Sequence, residues 1–114
     1  EAGKTTMLSG MPTGALIGIS PQPIQGQQFL LNRPVTSIGR SRRDNHIRID
    51  DASASRHHSR IYVRDGAFIF RDLNSPNYNP STINGTVLDG EHALESGDRI
   101  KIGVSVMEFI RLET

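Results

Sequence analysis

Cysteine is absent from the chain, which removes disulfides, thiolate metal sites and a cysteine nucleophile together. Tryptophan is absent too, and four phenylalanines and two tyrosines are all the aromatic residues there are. A protein that stacks single-stranded nucleic acid needs aromatic platforms, and most of these few rings read as core. Long apolar runs are missing: stretches such as 29–31 last only a few residues, where a helix crossing a bilayer needs about 20. No charged start, apolar stretch and small-residue cleavage site follow one another, so no signal peptide is read. Lysine is scarce: of 13 basic residues only Lys4 and Lys101 are lysine. The formal net charge is +1, too balanced for the basic footprint of a general nucleic-acid binder. Nucleic acid and membrane are therefore not expected partners. The lack of cysteine fits a reducing, cytoplasmic setting.

What remains on the basic side is arginine, with six copies between residues 40 and 60. Its planar fork of donors suits phosphate and carboxylate. At 114 residues the chain has room for one domain and not two. It opens at Glu1 rather than Met, which reads as a piece of a larger, multidomain protein. Residues 1–13 are small, polar and unpatterned, and are expected to be a linker or flexible tail carrying Thr5 and Thr6. Residues 14–114 form the domain.

The periodicity of that domain is strand-like. Two-residue alternation runs through 46–50, 60–64 and 99–102, and further β-rich stretches are 15–19, 28–31, 35–38, 67–70 and 104–112. Turn chemistry separates them at Gly26, Asp65-Gly66, Asp89-Gly90 and Ser96-Gly97-Asp98. Residues 51–61 lack an apolar stripe and are rich in serine, which competes for backbone bonds, so they read as a loop entering a strand. Residues 74–82, with Pro76, Tyr78 and Pro80, are dense in turn formers and are expected in an exposed loop. The expected fold is all-β: a two-sheet sandwich of about 10–11 mostly antiparallel strands, with ligand loops at one end.

Four short motifs occur in order: Gly39-Arg40-Ser41, Ser55-Arg56-His57-His58, Asn84-Gly85-Thr86, and Gly97-Asp98-Arg99-Ile100-Lys101-Ile102-Gly103. The first three fall at strand ends or in loops, where a sandwich gathers its ligand contacts. A phosphate dianion needs fixed donors. Arg40 offers a charge-assisted, fork-shaped pair and Ser55 a hydroxyl. Ser41 adds a backbone and a side-chain donor, and Gly39 allows close approach without a Cβ. The motifs, in this order over nearly the whole chain, resemble the forkhead-associated (FHA) domain family. The resemblance implies a phosphothreonine-dependent protein-binding module in Ser/Thr-kinase signalling, which prefers phosphothreonine to phosphoserine. Its ligand would be a phosphorylated segment of a partner or of its own parent protein. It implies phosphate contact by Arg40 and Ser55, with Arg56 as a third contact, and bonds from Asn84 to the peptide backbone. It makes His58 a structural tie and Gly85 and Thr86 shapers of their loop. The chain departs from the family by inserting several residues between Asp72-Leu73 and Asn84, and by placing Ile83 where a small polar residue is common.

No catalysis, cofactor or metal is expected. Ser55 and His58 are three apart, but no Gly-x-Ser-x-Gly elbow is present. His57 and His58 are neighbours, and neighbours on a strand face opposite ways, which disfavours a shared metal. Gly3-Lys4-Thr5 lacks the upstream glycine and strand of a phosphate loop. Arg42 and Arg43 read equally as steering charges for an acidic peptide or as solvated surface.

Overall fold

The described residues, 12–73 and 79–112 of a computed structural model, form eleven strands and no helix. Thr5, Thr6, Pro76 and Tyr78 lie outside them. In chain order the strands are β1 (Thr13–Ser20), β2 (Gln28–Leu31), β3 (Val35–Gly39), β4 (Ile47–Arg48), β5 (Ser59–Arg64) and β6 (Ala67–Asp72). There follow β7 (Thr82–Ile83), β8 (Thr86–Val87), β9 (Glu91–Ala93), β10 (Arg99–Ile102) and β11 (Ser105–Leu112). One sheet has six strands in the order β2-β1-β11-β10-β7-β8, the other five in the order β4-β3-β5-β6-β9. Only β3 and β4 pair in parallel. The expected two-sheet, mostly antiparallel sandwich is what forms.

Alternation decides which side chains fill it. Leu16, Leu31, Ile100, Ile102, Met107 and Phe109 project from the six-stranded sheet, and Ile38, Ile61, Phe68 and Phe70 from the five-stranded one, into a single buried cluster. Phe68 and Phe109 meet across the layers with ring centroids 5.3 Å apart in a tilted pair, a favourable aromatic geometry. β1 opens at Thr13, which pairs with Leu112, so this residue, grouped by sequence with the tail, sits in the sheet.

Two of the expected strands are trimmed. Only Ile47–Arg48 of 46–50 forms a strand, because β3, its partner, ends at Gly39. Ile49 is still fully buried and its N–H donates to the Gly39 carbonyl at 2.8 Å, so the alternation was real. Val104, expected at the head of the last strand, instead joins Gly103 in the turn from β10 to β11, where Ile102 faces Ser105. Gly103 has φ 61°, and Val104 N–H donates to Asp51 Oδ2 at 2.5 Å.

Register places the loops. Ile38 faces both Ile47 and Ser59, and Ser59 faces Asp72. The ends of β3, β4 and β6 and the start of β5 therefore lie together. The connections 40–46, 49–58 and the described part of 73–81 gather at that end.

Candidate functional site

At the loop end the backbone of 39–41 lies directly against that of 55–56. Arg40 N–H donates to the Ser55 carbonyl at 2.9 Å and Ser41 N–H to the Arg56 carbonyl at 3.1 Å. The approach requires glycine at 39: a Cβ there would stand 2.2 Å from Arg56 O and 2.9 Å from Asn45 Nδ2. Asn45 pins the same seam, its amide donating to the carbonyls of Ser41 at 2.7 Å and Arg56 at 2.8 Å. Arg48 Nε adds a bond to the Arg40 carbonyl at 3.2 Å.

This seam holds Arg40 by one nitrogen. Its Nε donates to the Ala54 carbonyl at 3.0 Å, and its two terminal nitrogens have no protein partner among the described residues. They face a cavity of about 920 Å³ lined by Arg40, Ser41, Arg42, Arg43, Asp44 and Arg56. Four guanidinium groups against one carboxylate give it an excess of positive charge. The carboxylate is itself engaged, accepting from Ser41 Oγ at 3.2 Å and lying 3.8 Å from His57 Nε2. Ser41 therefore has both donors in use within the loop. Ser55 Oγ, half-buried beside Arg40, has no hydrogen-bond partner among the described residues.

Beneath the loops His58 is 1% exposed. Its Nδ1 accepts the Ser55 N–H at 3.0 Å, which puts the ring proton on Nε2 in the neutral form. That nitrogen lies 3.8 Å from Asp72 Oδ1. Burial lowers the His58 pKa, against opposing pulls from Asp72, the backbone at Asn79 and Asp51. Asp72, also buried, accepts from Ser59 Oγ at 2.8 Å, Ser81 Oγ at 2.6 Å and Ser81 N–H at 2.9 Å. The inserted segment is thus tied down at its far base, where Asn79 Nδ2 also donates to the Ser53 carbonyl at 2.9 Å.

Asn84 and Gly85, at φ 53° and 85°, form the two-residue turn joining β7 to β8, where Ile83 faces Thr86. Two consecutive positive φ angles define the mirror-image hairpin turn that Asn-Gly favours. The Asn84 side chain is engaged: Nδ2 donates to Asp98 Oδ1 at 2.9 Å, and Oδ1 accepts Arg99 N–H at 2.8 Å. Asp98 accepts further from Glu95 N–H at 2.9 Å and lies 2.9 Å from His92 Nε2. Burial raises its pKa, but the bonds from Glu95, Asn84 and His92 outweigh that and the net shift is downward. Ile83 is buried and faces Ile100, so its size fills the core.

Of the residues expected from sequence, the structure brings Arg40, Ser41 and Arg56 to one cavity, while Ser55 is joined to Arg40 through the backbone and is not among the residues lining it. Gly39 and His58 shape it from below. Asn84, Gly85 and Thr86 form a hairpin outside that lining. Asn45, Arg48 and Asp72 were missed. Arg48 sits in the stretch 46–50 read as strand and Asn45 just before it, and no local pattern announces a side chain that bonds two distant carbonyls. Asp72 was legible only as the start of the loop that carries the insertion, beyond the stretch 67–70 read as strand.

Fold and loops define the class: a β-sandwich module that presents arginines to an anionic ligand from loops at one end. The FHA domain model matches residues 36–103, more than half of the chain, and the chain belongs to the forkhead-associated family. It is similar to the glycogen accumulation regulator GarA of Mycolicibacterium smegmatis, 33% identical over 113 residues, covering 95% of this chain and 66% of that protein. The chain thus spans just under two thirds of that relative. An FHA domain studied for its phosphothreonine-dependent interactions has a TM-score of 0.77 at 26% identity, over 90% of this chain and 99% of that one. EmbR of Mycobacterium tuberculosis, solved with a low-affinity phosphopeptide, has a TM-score of 0.77 at 28% identity, over 99% of this chain and 30% of that one. As an FHA domain, the chain is a phosphothreonine-dependent binding module of Ser/Thr-kinase signalling.

Proposed function

We propose that the phosphate of a phosphothreonine segment is held by the terminal nitrogens of Arg40, by the Ser55 hydroxyl and by Arg56. The observation that carries this reading is the Arg40 side chain. With Nε bonded to Ala54 O, the guanidinium is fixed in direction while its remaining edge faces an arginine-lined cavity. A donor fork held in place before the ligand arrives loses little freedom on binding. Ser41 takes part by shaping the loop, and its hydroxyl reaches phosphate only by leaving Asp44. Asn84 retains one N–H and one lone pair for the peptide backbone after its bonds to Asp98 and Arg99.

The module binds without chemical turnover and needs no cofactor. Its ligand is written by a protein kinase, which places its work in the cytoplasm, on a partner or on its own parent protein. The test is a matched titration with a phosphothreonine peptide, its phosphoserine and unphosphorylated twins, and an oligonucleotide. The phosphothreonine form should bind tightest, with phosphoserine weaker by roughly 10–200-fold if the threonine methyl has its own contact. The phosphopeptide should be recovered intact. Equal binding of the unphosphorylated twin, or preference for the oligonucleotide, would overturn the reading.

A further inference from the structure

A second concave surface lies on the outer face of the five-stranded sheet. By register the positions on that face are Val35 on β3, Arg60, Tyr62 and Arg64 on β5, Ile69 and Arg71 on β6, and Glu91 on β9, with Ile69 buried beneath its neighbours. Between them runs a groove of about 460 Å³, lined among others by Pro34, Val35, Arg60, Tyr62, Arg71 and Leu73. Its direction follows from pairing. At the loop end Leu73 lies just beyond the row of Ser59 and Asp72 and the Arg60–Arg71 pair one row below it, and Pro34 and Val35 lie at the far end. Between the rows of Ser59 and Val63 the groove covers roughly 13 Å, the length of a few extended residues, and it starts beside the loops that carry the anion cavity.

Its chemistry is specific. Arg60 is exposed and has no acidic partner among the described residues, while Arg64 and Arg71 share Glu91 at 2.7 and 3.5 Å. The surface thus carries more guanidinium than carboxylate. Its floor is apolar: Val35 is 43% exposed and the Tyr62 ring is half-buried. That ring is held before any ligand arrives, since its hydroxyl donates to Glu91 and the Arg64 guanidinium lies 5.5 Å from its centroid. A fixed aromatic with arginines around it suits an anionic strand carrying an apolar side chain. A second copy of the same face would set arginine against arginine.

We propose that this groove is a second docking surface, taking an acidic, extended segment of the protein partner that also carries an apolar side chain. Only its link to the loops rests on the phosphothreonine reading. A partner held at the cavity delivers its neighbouring residues to the groove at high effective concentration, so each contact reinforces the other.

The test uses the full chain and two kinds of probe. An unphosphorylated peptide with the core Glu-Glu-Leu-Glu should move the amide signals of Val35, Arg60, Tyr62 and Arg71 in the nitrogen-labelled chain, and do so equally in R40A. Phosphothreonine peptides are then compared with this core or a Gly-Ser tail attached on either side by graded spacers. On the wild type the best acidic tail should tighten binding by roughly tenfold, below the full gain of an optimally linked second site, and added salt should erase the gain. In R60E/R71E the gain should vanish while the Gly-Ser-tailed peptide binds as before. Should the double reversal disturb the sheet, R60Q/R71Q, which only removes charge, carries the comparison. Absence of those amide shifts, or a gain that survives in R60E/R71E and so belongs to Arg42 and Arg43, overturns the proposal. If the Gly-Ser-tailed phosphopeptide fails to bind the wild type while the acidic probe still moves the groove signals, the phosphothreonine reading fails and the groove stands.

Discussion

The proposed phosphate site turns on Arg40, because its guanidinium is fixed at one edge through Nε. Removing one partner of a hydrogen-bonded charge pair costs about 2–5 kcal/mol, so Arg40→Ala should weaken phosphopeptide binding by at least ~30-fold. Arg40→Lys should recover only part of this, since an ammonium cannot bond Ala54 and phosphate together as the fork does. Ser55→Ala should lose less than Arg40→Ala; a hydrogen bond to a charged group is worth about 1.5–3 kcal/mol. Calorimetric titration of the three variants checks the order. Binding by Arg40→Ala within threefold of the wild type would remove the assignment. The proposal for Arg40 starts from the sequence, where an arginine follows a glycine at a strand end. That Ser41 has its donors engaged inside the loop was not legible, since Asp44 reaches it only through the fold.

At the scale of elements, the Asn84–Gly85 hairpin is built as architecture, with the Asn84 side chain bonded to Asp98 and Arg99. Both residues hold positive φ, and a Cβ added at Gly85 would meet nothing within 4 Å. Gly85→Ala should therefore pay only the left-handed backbone penalty of about 1–2 kcal/mol. Asn84→Ala should lose as much or more, because it also releases Asp98 and the Arg99 N–H. Asn84→Gly should keep the turn and lose only those bonds, so thermal unfolding should rank Asn84→Gly above Asn84→Ala. The reverse order would mean that the positive φ at position 84 carries no weight. The long strands β1, β5, β6 and β11 announced themselves through alternation and turn residues. The short β7, β8 and β9 did not: two or three residues cannot display a period, and Glu91-His92-Ala93 has no strand propensity to read. β7 and β9 are strands because β10 and β6 pair with them, which is long-range information, and β8 is the return arm of the hairpin from β7. The insertion hid β7 in the same way, since its polar run masks the point where Ser81 and Ile83 turn inward.

Across the whole molecule, buried polar groups tie the binding loops to the sandwich and make its stability fall toward acid. His58 has its pKa lowered below the ordinary 6.5. Between the lowered value and 6.5 the unfolded chain binds a proton that the folded chain does not. Its contribution is therefore complete above about pH 6.5 and is lost as pH falls below it, by at most roughly 1.4 kcal/mol per pH unit. Asp51 and Asp98 are lowered from 3.8, so what they add is present above that value and is lost as pH falls through their folded values. The melting temperature should hold between pH 8 and 7 and decline in two stages below. The His58 ring should take up its proton at a lower pH than an exposed imidazole does. A melting temperature that rises from pH 7 to 5 would contradict the buried neutral ring. The most direct test of the central claim is to titrate a short phosphothreonine peptide with neutral flanks into the nitrogen-labelled chain and follow the amide signals. The largest shifts should fall on Arg40, Ser41, Ser55 and Arg56, and the unphosphorylated twin should leave them in place. If those four stay still while the phosphopeptide binds elsewhere on the sandwich, the arginine-lined cavity is not the phosphate site.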